Sequence, residues 1–128
     1  MRRRMVVFAA LVTTPIAHSI EEYMGHLWEV LPPARVISGL FSSDLSRGFM
    51  VFNLGVIVLG VLCLAGPMAR TWPAARPIAW SWSLVELLNG VGHLLLAFVQ
   101  GGYFPGLATA PALIAFALLL MRDLRQPA

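Results

Sequence analysis

A chain of 128 residues that is 59% hydrophobic and 12% charged has about half the charge of a soluble domain, which averages about 25%. That leaves too little polar surface to face water on all sides. The length suits one domain, residues 1–128, with about four membrane spans of roughly 20 residues each. All nine basic residues behind the net charge of +3 are arginines. They stand at the ends of apolar segments and not among aromatics on a polar face, which argues against a nucleic-acid partner.

The first apolar segment covers residues 5–28. Arg2, Arg3 and Arg4 precede it like the head of a secretory signal. Cleavage after Ala17 would put Pro15 at a site that wants a small residue, and the apolar run continues past it, so the segment is read as retained. Within it His18, Glu21, Glu22, Gly25, His26 and Glu29 recur at spacings of three and four, which places them on one helical face. His26 and Glu29 belong to the interface, and the first three lie deeper. Each ionisable group in hydrocarbon costs roughly 3 kcal/mol on insertion scales, so such groups mark functional sites by default. The competing reading is a polar network that only ties helices together, and such bonds contribute about 0.6 to 2 kcal/mol. Two adjacent carboxyls exceed what that role needs.

Pro32 and Pro33 close this segment, because proline lacks an N–H and disfavours helix in the residue before it. Residues 30–46 form an interfacial loop, read as a short surface helix or a lid. The second span covers 48–66 and carries Asn53. Its Cys63 is the sole cysteine, so no internal disulfide exists, and it reads as a small buried hydrophobe. Gly66, Pro67, Pro73 and Pro77 mark the next connection. The third span, 78–100, repeats the polar stripe in Glu86, Asn89, Gly90, His93, Ala97 and Gln100. Gly101, Gly102, Pro105 and Gly106 make a tight turn into the fourth span, 107–121, with Thr109 at its start.

The expected fold is all-α: an integral membrane four-helix bundle, up-down-up-down. With both termini cytoplasmic, seven arginines fall inside and only Arg35 and Arg47 outside, as the positive-inside rule asks. Trp28, Trp72, Trp80, Trp82 and Tyr103 fall near the predicted ends, as interfacial aromatics do. The first and third spans run in the same direction. At about 1.5 Å per residue, His18 and His93 lie about 20 and 22 Å from the starts of their spans. Asn53 reaches a similar height from the opposite side. Three helices thus bring deep polar groups to one level in the outer half of a bilayer.

His18-Ser-Ile-Glu21-Glu22, then Asn89-Gly-Val-Gly-His93, then Tyr103-Phe-Pro105-Gly106-Leu-Ala-Thr109 occur in that order. Together they resemble the HXXEE-domain family of small multi-pass membrane proteins, over roughly residues 10–120. The resemblance implies a membrane setting and importance for His18, Glu21, Glu22, Asn89 and His93. It implies no reaction.

The chemistry is read from the residues. A carboxyl kept from water favours its protonated form, so Glu21 or Glu22 can donate a proton to an apolar substrate. His18 and His93 would accept or orient, with Glu86 as a second acid. Asn53, Asn89, Tyr103 and Thr109 are candidate substrate contacts. This is acid–base catalysis of an isomerisation or cyclisation type on a lipid or isoprenoid taken from the bilayer, with no cofactor expected. The alternative is a metal-dependent enzyme in which His18, Glu22 and His93 hold zinc, iron or manganese. A second alternative is a non-enzymatic transporter or lipid-binding protein, and transport through four short spans would require a homo-oligomer. Expected partners are membrane lipid and an apolar small molecule, and the expected location is the bacterial plasma membrane, as a multi-pass protein.

Overall fold

The computed structural model describes residues 2–126. All regular structure among them is helical. In chain order the helices are α1 (Arg2–Met24), α2 (Leu27–Val30), α3 (Pro32–Phe41), α4 (Leu45–Cys63), α5 (Ala75–Gln100) and α6 (Ala110–Arg125).

Local chemistry sets the boundaries. α1 stops at Met24, earlier than its apolar pattern suggests, because His26 turns left-handed with φ 52°. The proline pair opens α3, where a missing N–H costs nothing. Asp44 caps α4 by accepting from the Arg47 N–H at 3.2 Å and from the Ser46 hydroxyl at 3.0 Å. Those bonds, the first above all, hold the Asp44 carboxyl below the usual carboxylate range. Pro67 has no N–H to offer, and α4 widens there into one π turn, Leu64–Met68. At the end of α6, Arg122 and Arg125 complement the helix dipole.

α1 lies between α4 and α6. α5 packs chiefly on α6, and α3 folds back along α4. The arginine-rich end is closed by Phe8, Leu11, Val12, Met68, Ala79, Ala117 and Leu120. There Arg3 Nε meets the buried Asp123 Oδ2 at 3.0 Å, which ties the start of α1 to the end of α6. A second apolar cluster of Leu27, Trp28, Phe49, Ala97 and Phe104 closes the far end. The buried polar groups of α1 and α5 lie between these two plugs.

Two helical runs, Leu45–Met68 and Ala75–Gln100, are long and apolar enough to cross a membrane. They carry broad apolar faces with no protein partner among the described residues: Leu54, Leu62, Leu88 and Phe98 are more than half exposed. A soluble monomer rarely leaves apolar patches of that extent uncovered, so the fold points to membrane association.

The α3–α4 contact depends on Gly48. A Cβ there would fall inside contact distance of the Ser38 carbonyl. Backbone cannot step aside as a flexible side chain can, so Gly48→Ala is expected to lift α3 from α4 and destabilise the fold by about 1 to 3 kcal/mol. Thermal unfolding in detergent checks this; an unchanged midpoint would mean α3 is not held where it lies.

Candidate functional site

The inward face of α5 reads Ala79, Ser83, Glu86, Gly90, His93 and Ala97. That is the three-and-four spacing of its sequence stripe. On α1 the corresponding buried positions are Leu11, Pro15, His18 and Glu22. Ser83 donates to its own helix at Ala79 O, 2.8 Å away. The remaining deep polar groups of the two stripes face one another.

Glu22 Oε1 is the focus. It lies 2.9 Å from His93 Nε2 and 3.2 Å from His18 Nε2. All three side chains are buried: His18 is 1% exposed, His93 4% and Glu22 6%. The two imidazoles meet edge to face with centroids 4.7 Å apart. The candidate ligand atoms of His18, Glu22 and His93 all lie within 4.8 Å of one another. His18 Nε2 approaches Glu22 without making a hydrogen bond, and His93 Nδ1 has no partner among the described residues.

Glu86 lies about two helical turns deeper than His93 on α5 and is buried. The Asn89 amide, three residues along the same face, lies beside its carboxyl. Its Oε2 has no hydrogen-bond partner among the described residues. Glu86, Asn89 and His93 line a cavity of about 350 Å³ between α1, α4 and α5. The rest of its wall is mostly apolar, with Phe49, Phe52, Val56 and Ile57 from α4 and Ile37 from α3. Trp82 packs on Phe8 and against Gly60 below it. Val85, which lines the cavity, is 63% exposed on the outer surface of α5. Asn53 also lines the cavity, but its amide oxygen accepts from Ser19 at 2.9 Å and its nitrogen donates to Phe49 O at 2.9 Å. It ties α1 to α4.

Glu21 has a different place. The sequence pattern leaves Glu21 and Glu22 equivalent, and the structure separates them. Both Glu21 oxygens are turned to the α5–α6 connection. Oε1 accepts from the Tyr103 phenol at 2.7 Å and the Ala108 N–H at 2.9 Å; Oε2 accepts from the Thr109 N–H at 2.9 Å and the Thr109 hydroxyl at 2.6 Å. With every donor already present, Glu21 is not placed as an acid in the cavity. Tyr103 and Thr109, read from sequence as substrate contacts, instead clamp this carboxylate. The bond to Glu21 pushes the Tyr103 phenol up from its ordinary pKa.

The clamp also reaches the site. Thr109 Oγ1 lies 2.6 Å from His18 Nδ1. A hydroxyl has one proton, and Thr109 gives it to Glu21. His18 Nδ1 must therefore be the donor to Thr109. The other ring nitrogen, Nε2, is the one turned toward Glu22.

Gly106 is a residue the sequence reading took only as part of a turn. Its φ is 94°, and a Cβ would stand 2.6 Å from His93 Nδ1 and 2.7 Å from His18 Cε1. The chain here presses on both imidazoles. The available signal was a Pro-Gly pair joining the helix of His93 to the helix opened by Thr109.

Residues 7–120 match the sequence model of the family described as protein of unknown function with HXXEE motif. The chain belongs to that family. No curated protein and no solved structure matches it.

Proposed function

We propose that this chain is a four-span membrane enzyme, with both termini cytoplasmic, that moves protons on an apolar substrate drawn from the bilayer. The bundle reading is supported by the two long apolar helices and their exposed faces. The arginine distribution supports the orientation, and we place the bundle in a bacterial plasma membrane. Burial of charged groups toward one another, with apolar side chains outward, is the arrangement a bilayer favours.

One observation carries the catalytic reading: Glu86, which lines an apolar-walled cavity beside Asn89 and His93, has a buried carboxyl oxygen without a hydrogen-bond partner among the described residues. A buried acceptor without a partner costs about 1 to 3 kcal/mol, which favours an arrangement completed by a bound molecule. Glu86 is the group placed to donate or remove a proton, and Asn89 positions it. The cavity is at the small end of ligand sites, about 300 to 1,000 Å³. It suits the reacting head of an isoprenoid, sterol-like or acyl lipid. The tail would leave past Val85 into the hydrocarbon.

Membranes from cells making the wild type and Glu86→Gln provide the test. Lipid extracts are compared by chromatography and mass spectrometry, since an isomerisation changes retention and not mass. Glu86→Gln keeps the shape and removes the proton, and should lower conversion about 100-fold or more. A conversion untouched by this change would exclude the reading, as would extracts that do not differ between wild-type and protein-free membranes.

A further inference from the structure

We infer that His18 Nε2, His93 Nε2 and Glu22 Oε1 are ligands to a divalent first-row metal ion, zinc or iron in class. The ion's role depends on the proton-transfer reading above; its binding does not.

The first observation is the convergence of buried ligand atoms. Thr109 donates to Glu21, and its oxygen lies 2.6 Å from His18 Nδ1, which leaves Nε2 as the His18 nitrogen turned to Glu22. That nitrogen belongs to a residue that is 1% exposed and lies 3.2 Å from the Glu22 oxygen. It has no hydrogen-bond partner among the described residues. The candidate ligand atoms of His18, Glu22 and His93 all lie within 4.8 Å of one another, close enough to share one ion. His93 Nε2 reaches the same oxygen at 2.9 Å.

The second observation is spacing. With ligands about 2.0 to 2.2 Å from an ion, neighbouring donors at octahedral or tetrahedral angles lie about 2.8 to 3.6 Å apart. Both measured separations fall in that range. Imidazole and carboxylate together suit zinc and iron. The carboxylate, hydroxyl and imidazole in series, Glu21–Thr109–His18, form the kind of outer support that fixes the tautomer of a ligating histidine. His93 has no such anchor and relies on packing against Phe104, at 5.7 Å, and Gly106.

The third observation is charge. Glu22 and Glu86 are both buried. Two carboxylates together in a dry site are costly, and one divalent cation balances them. Glu22 then serves as ligand, and Glu86 is left free for the proton. An open position on the ion would face the cavity and accept a hydroxyl or carbonyl oxygen of the substrate.

The test uses the full chain purified in detergent. Metal content is measured by elemental analysis, and a chelated sample is then titrated with Co²⁺ alone and followed by its visible absorption. The wild type should carry roughly one zinc or iron per chain and give the bands of a nitrogen–oxygen Co²⁺ site. His93→Ala and Glu22→Gln should weaken Co²⁺ binding at least tenfold, while Glu86→Gln retains it. Should either ligand variant fold poorly by circular dichroism, the wild-type content and spectrum still decide. A wild type that holds no stoichiometric metal and shows no Co²⁺ bands overturns the inference, and so do ligand variants that bind like wild type. Lipid conversion without metal would remove this inference alone, and metal without lipid conversion would remove the functional reading alone.

Discussion

Gly106→Ala should abolish lipid conversion while leaving the helices formed. Two effects combine at this position. An L residue at φ 94° is strained, a cost of order 1 to 3 kcal/mol. The new methyl would also stand 2.6 Å from His93 Nδ1 and 2.7 Å from His18 Cε1, and so must move both imidazoles. A displacement of about 1 Å at a reacting centre can cost 100-fold in rate. Gly101→Ala separates the two effects. Gly101 also has positive φ, 73°, but nothing lies within 4 Å of its would-be Cβ. Gly101→Ala should lose some stability and keep conversion within a few fold. Conversion rates and circular dichroism of the pair check this. Equal losses in both variants would show that the loop strain matters and the contact with the histidines does not.

Glu21→Gln should have the largest effect on stability. The carboxylate receives four donors from the 103–109 segment, two of them backbone N–H groups. An amide of the same shape turns an NH₂ toward donors that need an acceptor. Each charge-assisted bond is worth about 1.5 to 3 kcal/mol, so a loss of at least about 3 kcal/mol is expected, read as a lower unfolding midpoint in detergent. The change also frees the Thr109 proton and with it the tautomer of His18. Loss of such an outer support weakens metal binding about 10- to 100-fold. Thr109→Val separates the two roles: it removes the link to His18 and keeps the Tyr103, Ala108 and backbone bonds to Glu21. It should reduce Co²⁺ affinity with a smaller fall in the unfolding midpoint. A Glu21→Gln protein as stable as wild type would mean that the clamp is not formed.

Much of the site is legible as periodicity. His18 and Glu22 on α1, and Glu86, Asn89 and His93 on α5, follow from the three-and-four spacing of polar residues in apolar helices. The common level of His18 and His93 follows from the rise per residue. The pattern fails where two neighbours share a broad face. Glu21 and Glu22 differ by about 100° around the helix, and only the position of the α5–α6 connection decides which one enters the cavity. That connection is irregular, and no period governs it. Tyr103 and Thr109 are polar residues near a site and therefore resemble substrate contacts, until their hydrogen bonds are known. Gly106 and the stop of α1 at Met24 depend on tertiary contact: Gly106 on the two histidines, Gly25 on Pro105. The helix order, with α1 between α4 and α6, is likewise set by packing between segments distant in sequence. The cavity needs that order, because α1, α4 and α5 must diverge around it.

The central claim is that two imidazoles from different helices meet one carboxyl in a closed polar layer beside a lipid-accessible cavity. An experimental density map of the full chain in lipid nanodiscs tests it most directly. The account predicts His18, Glu22 and His93 converging on one point, Glu21 held by the 103–109 segment, and elongated density entering past Val85 toward Glu86. A map with Glu22 and His93 turned to lipid on separate faces of the bundle would contradict it.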